Sequence, residues 1–119
     1  MSNWRNMLRA VDLIALRQNW DETLPLKGTS LENDYEPIVK LFNPAGVGTW
    51  LVTECDEDGL AFGLADLGSP ELGYFDLGEI AAVRMMRGHV RIEQDIHFAP
   101  DKPISAYAEE ARRQGRIVA

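Results

Sequence analysis

Apolar residues recur at helical spacing near the start of the chain: Trp4, Met7, Leu8, Val11 and Ala15 form a stripe that Leu13, Leu16 and Trp20 widen. The spacing predicts a first helix, with Asn3 placed to cap it by accepting a hydrogen bond from an orphan backbone N–H. A stripe this broad implies deep burial or a second apolar partner. Residues 20–36, with Pro25, Gly28, Asn33 and Asp34, read as a connecting loop.

Beyond the loop the period shortens. Residues 38–43 read as a strand stopped by Pro44, and residues 49–55 and 60–67 as a hairpin. Asp56-Glu57-Asp58-Gly59 between them suits a type I turn with Gly59 left-handed. That loop pairs Asp56 with Leu60 and sets Trp50, Val52, Phe62 and Leu64 on one face. It also sets Glu54 opposite Phe62 and Asp66 opposite Trp50. The other face, Leu51, Thr53, Cys55, Ala61, Gly63 and Ala65, is mostly small, so a helix can approach and the hairpin should be buried on both sides.

Three acid-Leu-Gly triplets follow: Asp66-Leu67-Gly68, Glu71-Leu72-Gly73 and Asp76-Leu77-Gly78. They describe short strands and turns with an acidic rim. Residues 69–73 read as a rigid turn, because Pro70 fixes its own φ and Gly73 permits a bend. Residues 73–76 then form a short strand and 77–84 a short helix. Val90, Ile92, Gln94, Ile96 and Phe98 alternate with Arg91, Glu93, Asp95 and His97, predicting an amphipathic strand. Ile104, Tyr107, Ala108 and Ala111 mark a terminal helix stopped by Gly115, with Arg112, Arg113 and Arg116 at its negative dipole end. The order predicts an α+β fold: a mainly antiparallel sheet of short strands flanked by an N-terminal and a C-terminal helix. One domain over 1–119 is expected, divided into helix and loop (1–36) and sheet, short helix and C-terminal helix (37–119).

Composition narrows the class. At 119 residues, 45% hydrophobic and 26% charged, the chain can bury one core without metals or disulfides. Cys55 is the only cysteine, no opening stretch resembles a signal peptide, and no apolar run approaches the roughly 20 residues that span a membrane. A cytoplasmic location is expected. The net charge of −7 is uneven: thirteen acids and only Lys27 and Lys40 lie within residues 20–80, while both flanks are mildly basic. Such a middle repels phosphate backbones, so direct nucleic acid binding is not expected, whereas a protein with a basic groove is.

Several blocks closely resemble one family. Leu41-Phe42-Asn43-Pro44, Gly48-Thr49-Trp50-Leu51, Phe62-Gly63-Leu64, Asp66-Leu67-Gly68, Pro70-Glu71-Leu72-Gly73-Tyr74 and Lys102-Pro103-Ile104-Ser105-Ala106-Tyr107 occur in order and cover about two thirds of the chain. They resemble the family named domain of unknown function 2958. The resemblance implies a small bacterial protein often carried on plasmids and other mobile elements. It implies no catalytic residues.

Candidate chemistry is sparse. Glu54, Asp56, Asp58 and Gly59 fit the first positions of a calcium loop, but Ala65 stands where the bidentate glutamate belongs. Glu54 and Asp66, four steps apart in the expected register, lie ~13 Å apart, beyond the reach of a carboxylate pair acting on one bond. Glu93, Asp95 and His97 on one strand face could contribute to a divalent-metal site, and a metal-dependent hydrolase is a weaker alternative on that ground. Gly46-Val47-Gly48 is followed by a strand, not the helix N-terminus a phosphate loop needs. Ser30, Ser69 and Ser105 lack a nucleophile elbow, and Cys55 lacks a neighbouring base. No cofactor or metal is expected. The sequence points to a non-catalytic protein that binds another macromolecule, with Asp56, Glu57, Asp58, Glu71 and Tyr74 as the candidate contact residues. An anti-defence inhibitor whose acidic face blocks a host nucleic-acid-binding enzyme is the alternative.

Overall fold

The computed structural model describes residues 3–119. Five antiparallel strands form one sheet in the order β4-β3-β2-β1-β5: β1 Val39–Phe42, β2 Thr49–Cys55, β3 Leu60–Asp66, β4 Pro70–Asp76 and β5 Glu93–Gln94. Helices α1 (Ala10–Thr23) and α3 (Ile104–Gln114) flank it, and α2 (Leu77–Ala82) follows β4. The fold is the α+β arrangement with N- and C-terminal helices that the hydrophobic pattern predicts.

The opening stripe is not one helix. Trp4–Met7 is a 3-10 turn, with the Asn3 side chain accepting from Arg5 N–H at 3.3 Å. Leu8 and Arg9 are extended before α1 begins. The break has a physical cause: the stripe is too wide for one helix face. With it, Trp4, Leu8 and Leu16 all reach one core cluster, while Val11 and Ile14 stay exposed. Arg9 and Asp12 then lock α1 to the sheet. Arg9 Nε lies 2.8 Å from Asp12 Oδ2, Gln94 Nε2 donates to the same oxygen at 2.6 Å, and Arg9 N–H donates to Gln94 Oε1 at 2.9 Å.

The hairpin starts as expected. Gly59 has φ +93°, Asp56 N–H donates to Leu60 O, and Asp56 Oδ1 accepts from Asp58 and Leu60 N–H. Glu54 faces Phe62. Then a bulge at Thr53 shifts everything beyond it: Val52 faces Gly63, Leu51 faces Leu64, Trp50 faces Ala65 and Asp66 faces Thr49. Asp66 is therefore not opposite Trp50, and Trp50, Val52, Phe62 and Leu64 do not share a face. An extra residue in one strand flips every side chain after it. The consequence is a large apolar residue for each layer. Trp50 and Val52 pack with Cys55, Ala61, Leu16, Leu77 and Ile80, while Leu51 and Leu64 pack under Ile104, Tyr107, Ala108 and Ala111 of α3. Strand β2 is buried from Trp50 to Cys55, as expected of a strand covered on both sides.

Two further elements differ from the pattern. Residues 70–73 are strand, not turn: β4 runs the full Pro70–Asp76, and the chain reverses at residues 67–69, where Gly68 has φ +119° and donates to Asp66 Oδ1 at 2.9 Å. Proline is tolerated there because it opens an edge strand. Within 90–98 only Glu93–Gln94 is strand. Its partner β1 is four residues long, and after Asp95 N–H bonds Lys40 O, the Asp95 carboxylate accepts from His97 N–H and turns the chain away. Residues 85–90 form a tight reversal with Met86 at φ +52° and Arg87 at φ +61°, closed by Gly88 N–H to Met85 O at 3.1 Å. Left-handed backbone costs a side-chain-bearing residue about 1–2 kcal/mol.

Candidate functional site

Strand β4 is the long free edge of the sheet. The other edge, β5, has two residues. Hydrogen-bonding direction alternates along a strand, so the Asp56–Leu60 bond and the Thr53 hydroxyl donating to Phe62 O fix which residues of β3 face β2. The intervening Ala61, Gly63 and Ala65 face β4, where their partners are Phe75, Gly73 and Glu71. The backbone groups of Leu72 and Tyr74 therefore point away from the sheet. Pro70 shares their phase, and its missing N–H falls on the open side.

Side chains on this edge are exposed. Tyr74 is 54% exposed, and Glu71 and Asp76 lie open on either side of it. Tyr74 is also the hub of an aromatic group, with Phe62 edge-on at 5.1 Å and Trp20 at 6.3 Å between ring centroids. Lys27 sits over both the Phe62 and Tyr74 rings, at 4.6 and 5.2 Å. Sequence spacing cannot reveal this grouping, since Lys27 and Trp20 arrive from the loop and helix before the sheet.

Beneath the ammonium lies Glu54, only 3% exposed, with Oε2 3.8 Å from Lys27 Nζ and no hydrogen-bond partner for that oxygen. Burial raises the Glu54 pKa, and Lys27 and the Thr53 hydroxyl only partly offset it. Burial on its own would lower Lys27, but the Tyr74 hydroxyl and the Glu54 and Glu32 carboxylates reverse that to a net rise. Lys27 also holds Glu32 at 3.2 Å, so it pins the connecting loop over the sheet. Two carboxylates therefore meet one ammonium under the aromatic rings, Glu54 from the buried strand and Glu32 from the exposed loop. Asp66 lies four steps along β3 from Phe62, the partner of Glu54, and is committed to Gly68 and Ile117 N–H groups.

The expected contact residues do not form one patch. Asp56 is consumed in its turn, while Glu57 and Asp58 project from the loop, where Arg5 donates to Glu57 O. Asp76 joins them across from Leu60 and caps α2 through Gly78 and Glu79 N–H. Glu71 pairs with Ala65 at the far end of β4, five steps or ~17 Å from Asp76. Tyr74 lies between the two.

The remaining candidates are held in structural contacts. Asp95 lies 3.6 Å from Lys40, and the turn at His97 ends the strand face that Glu93, Asp95 and His97 were expected to share. Among the described residues no group of three or more His, Cys, Asp or Glu is placed to share a metal ion. Ser105 N–H and Oγ both bond Asp34, which ties the loop to the start of α3. Cys55 is buried, and burial pushes its thiol up to about 12. No helix among the described residues is long and apolar enough to cross a membrane.

The family model described as Protein of unknown function (DUF2958) matches residues 9–118. No curated protein and no solved structure matches the chain.

Proposed function

The chain belongs to the DUF2958 family, and from that premise we propose that it is a non-catalytic, cytoplasmic accessory protein of mobile elements that binds another protein. The bound segment is extended and basic, and it adds to the sheet along β4. One observation carries this reading: a seven-residue edge strand with outward backbone groups at Leu72 and Tyr74, flanked by open acids at both ends. Free strand edges are templates for a further strand, with main-chain hydrogen bonds giving affinity and neighbouring side chains giving specificity. Glu71 at one end and Asp76, Glu57 and Asp58 at the other favour lysines and arginines on the incoming chain. Tyr74, held by Phe62 and Trp20, offers a fixed aromatic surface at the centre. The mobile-element context rests on the family resemblance carried by the blocks between Leu41 and Tyr107.

The test is affinity capture from a host cell with proline variants. Leu72→Pro removes an N–H that faces outward, so the fold should survive and capture should fall. Gly73→Pro removes a ladder N–H and should destabilise the fold itself. On binding, amide exchange should slow at Leu72 and Tyr74. A folded Leu72→Pro variant that captures the same partner undiminished rejects strand addition at β4.

A further inference from the structure

On another part of the molecule the 3-10 turn, α2 and the segment around β5 enclose a cleft of about 660 Å³. That is within the size range of small-molecule sites. Met7, Leu8 and Ile92 give it an apolar wall, and Arg84 and Arg91 stand in its lining. In a chain of net charge −7, the sign here is reversed. Arg9 also lines the cleft but is neutralised by Asp12 at 2.8 Å. Glu93 is the only acid in the lining.

Two local choices place these guanidinium groups, and both are unfavourable for folding alone. Met85 and Val90 exchange backbone hydrogen bonds, so Arg84 and Arg91 occupy the next positions outward, across from each other. Like charges in that arrangement repel. The reversal that brings them together sets Met86 and Arg87 left-handed, a conformation that persists only where the surrounding structure holds it. Arg84 is further fixed: its Nη1 donates to Ala81 O at 2.6 Å and Val83 O at 2.9 Å, leaving the rest of the fork open. Arg91 is exposed and makes no ion pair or hydrogen bond among the described residues. Strain and repulsion that converge on one cleft are the marks of a site kept for a ligand, not for stability.

We propose that this cleft binds a phosphate monoester with an apolar body, its dianionic head bridging Arg84 and Arg91 and its body lying on Met7, Leu8 and Ile92. Paired guanidinium forks match phosphate oxygens, and an anion between them removes their mutual repulsion. This site is independent of the β4 edge.

The experiment titrates the whole chain with phenyl phosphate, inorganic phosphate and phenol, following backbone amides by NMR. Phenyl phosphate should give saturable shifts at residues 6–8 and 91–93, with inorganic phosphate weaker and phenol without effect. Arg84→Gln and Arg91→Gln should each weaken binding about tenfold, the loss of one charge-assisted contact. Arg91 makes no contact that folding needs, so its variant remains informative if Arg84→Gln lowers the melting temperature. Arg112→Gln, at the end of α3, should leave affinity unchanged. Absence of saturable shifts overturns the site, as does equal loss in Arg91→Gln and Arg112→Gln, which would mean unspecific charge attraction. Inorganic phosphate binding as tightly as the ester would remove the apolar wall from the proposal and overturn the assigned ligand class.

Discussion

A single inserted residue decides how β2 and β3 meet. Thr53 is not a bulge by composition; it is a good strand residue, and the turn at residues 56–59 reads as a regular hairpin. What forces the extra residue is layer packing, because only the shifted strand gives Leu51 to α3 and Val52 to α1. Gly63 marks the spot. A Cβ built there would lie 1.9 Å from Leu51 O, a clash with backbone that cannot swing aside. Gly63→Ala should therefore cost about 3 kcal/mol or more in chemical denaturation, whereas an alanine at exposed Gly46 meets nothing within 4 Å. Glu54 is the second residue whose role the strand pattern hides. Its folded pKa is raised by burial, so it favours the protonated form. The stability it contributes is present at acid pH and lost as pH rises above 4.5 through the folded value. Glu54→Gln, which mimics the neutral form, should raise the melting temperature at about pH 7 and lose that advantage as pH falls towards the ordinary carboxyl range. A melting temperature lowered at about pH 7 but not at acid pH would mean that the Lys27 ion pair dominates.

At the scale of elements, the pattern is readable where turn or cap residues bound a segment, whether one face is wet as in α3 or both are covered as in β2. Helix α3 follows its apolar stripe and stops at left-handed Gly115, and β1, β2 and β3 lie within a residue or so of their predicted limits. Alternation failed at residues 90–98 because side chains can alternate without a neighbouring strand to bond. Strand β1 ends after four residues, and Lys40 and Asp95 close the pairing. Pro70 and Gly73 read as turn residues in β4 because an edge strand tolerates both. The reversal at residues 85–90 is unreadable for the opposite reason: its left-handed positions carry Met86 and Arg87 instead of the Asn-Gly that marks such turns. Met86→Gly should relieve that strain. Since glycine also loses more freedom on folding, the net gain should be up to about 1 kcal/mol by denaturant titration. A loss of stability would show that the exposed Met86 side chain, not its backbone, holds the reversal.

At the scale of the whole molecule, thirteen acids within residues 20–80 suggest a continuous negative face, and the fold breaks that face up. Glu54 and Asp66 are buried, Asp56 and Asp76 cap backbone N–H groups, and Glu32 is paired with Lys27. Of the eight acids that remain, Glu57, Asp58 and Glu71 flank β4, with Tyr74 between them, while Asp21, Glu22, Asp34, Glu36 and Glu79 lie exposed on α1, the connecting loop and α2. A partner laid along that edge meets charge at its ends and main chain in its middle, so steering and affinity should separate. Glu57→Lys with Asp58→Lys, and separately Glu71→Lys, should slow association and flatten its dependence on salt, because surface charges act over about 8–10 Å at ordinary ionic strength. Dissociation should change little, while Leu72→Pro should speed it. Asp56 is left intact in this series, since its loss would undo the hairpin turn. Glu109→Lys is the better control than a change at Glu110: both acids have a basic partner at 3.2 Å, but the Glu109–Arg113 pair is exposed and the Glu110–Lys102 pair is half-buried. Association kinetics measured across a salt series would decide the matter. Equal slowing in the β4 variants and in Glu109→Lys would reduce the acidic edge to net charge alone and shift the contact surface to the exposed Val11 and Ile14 of α1.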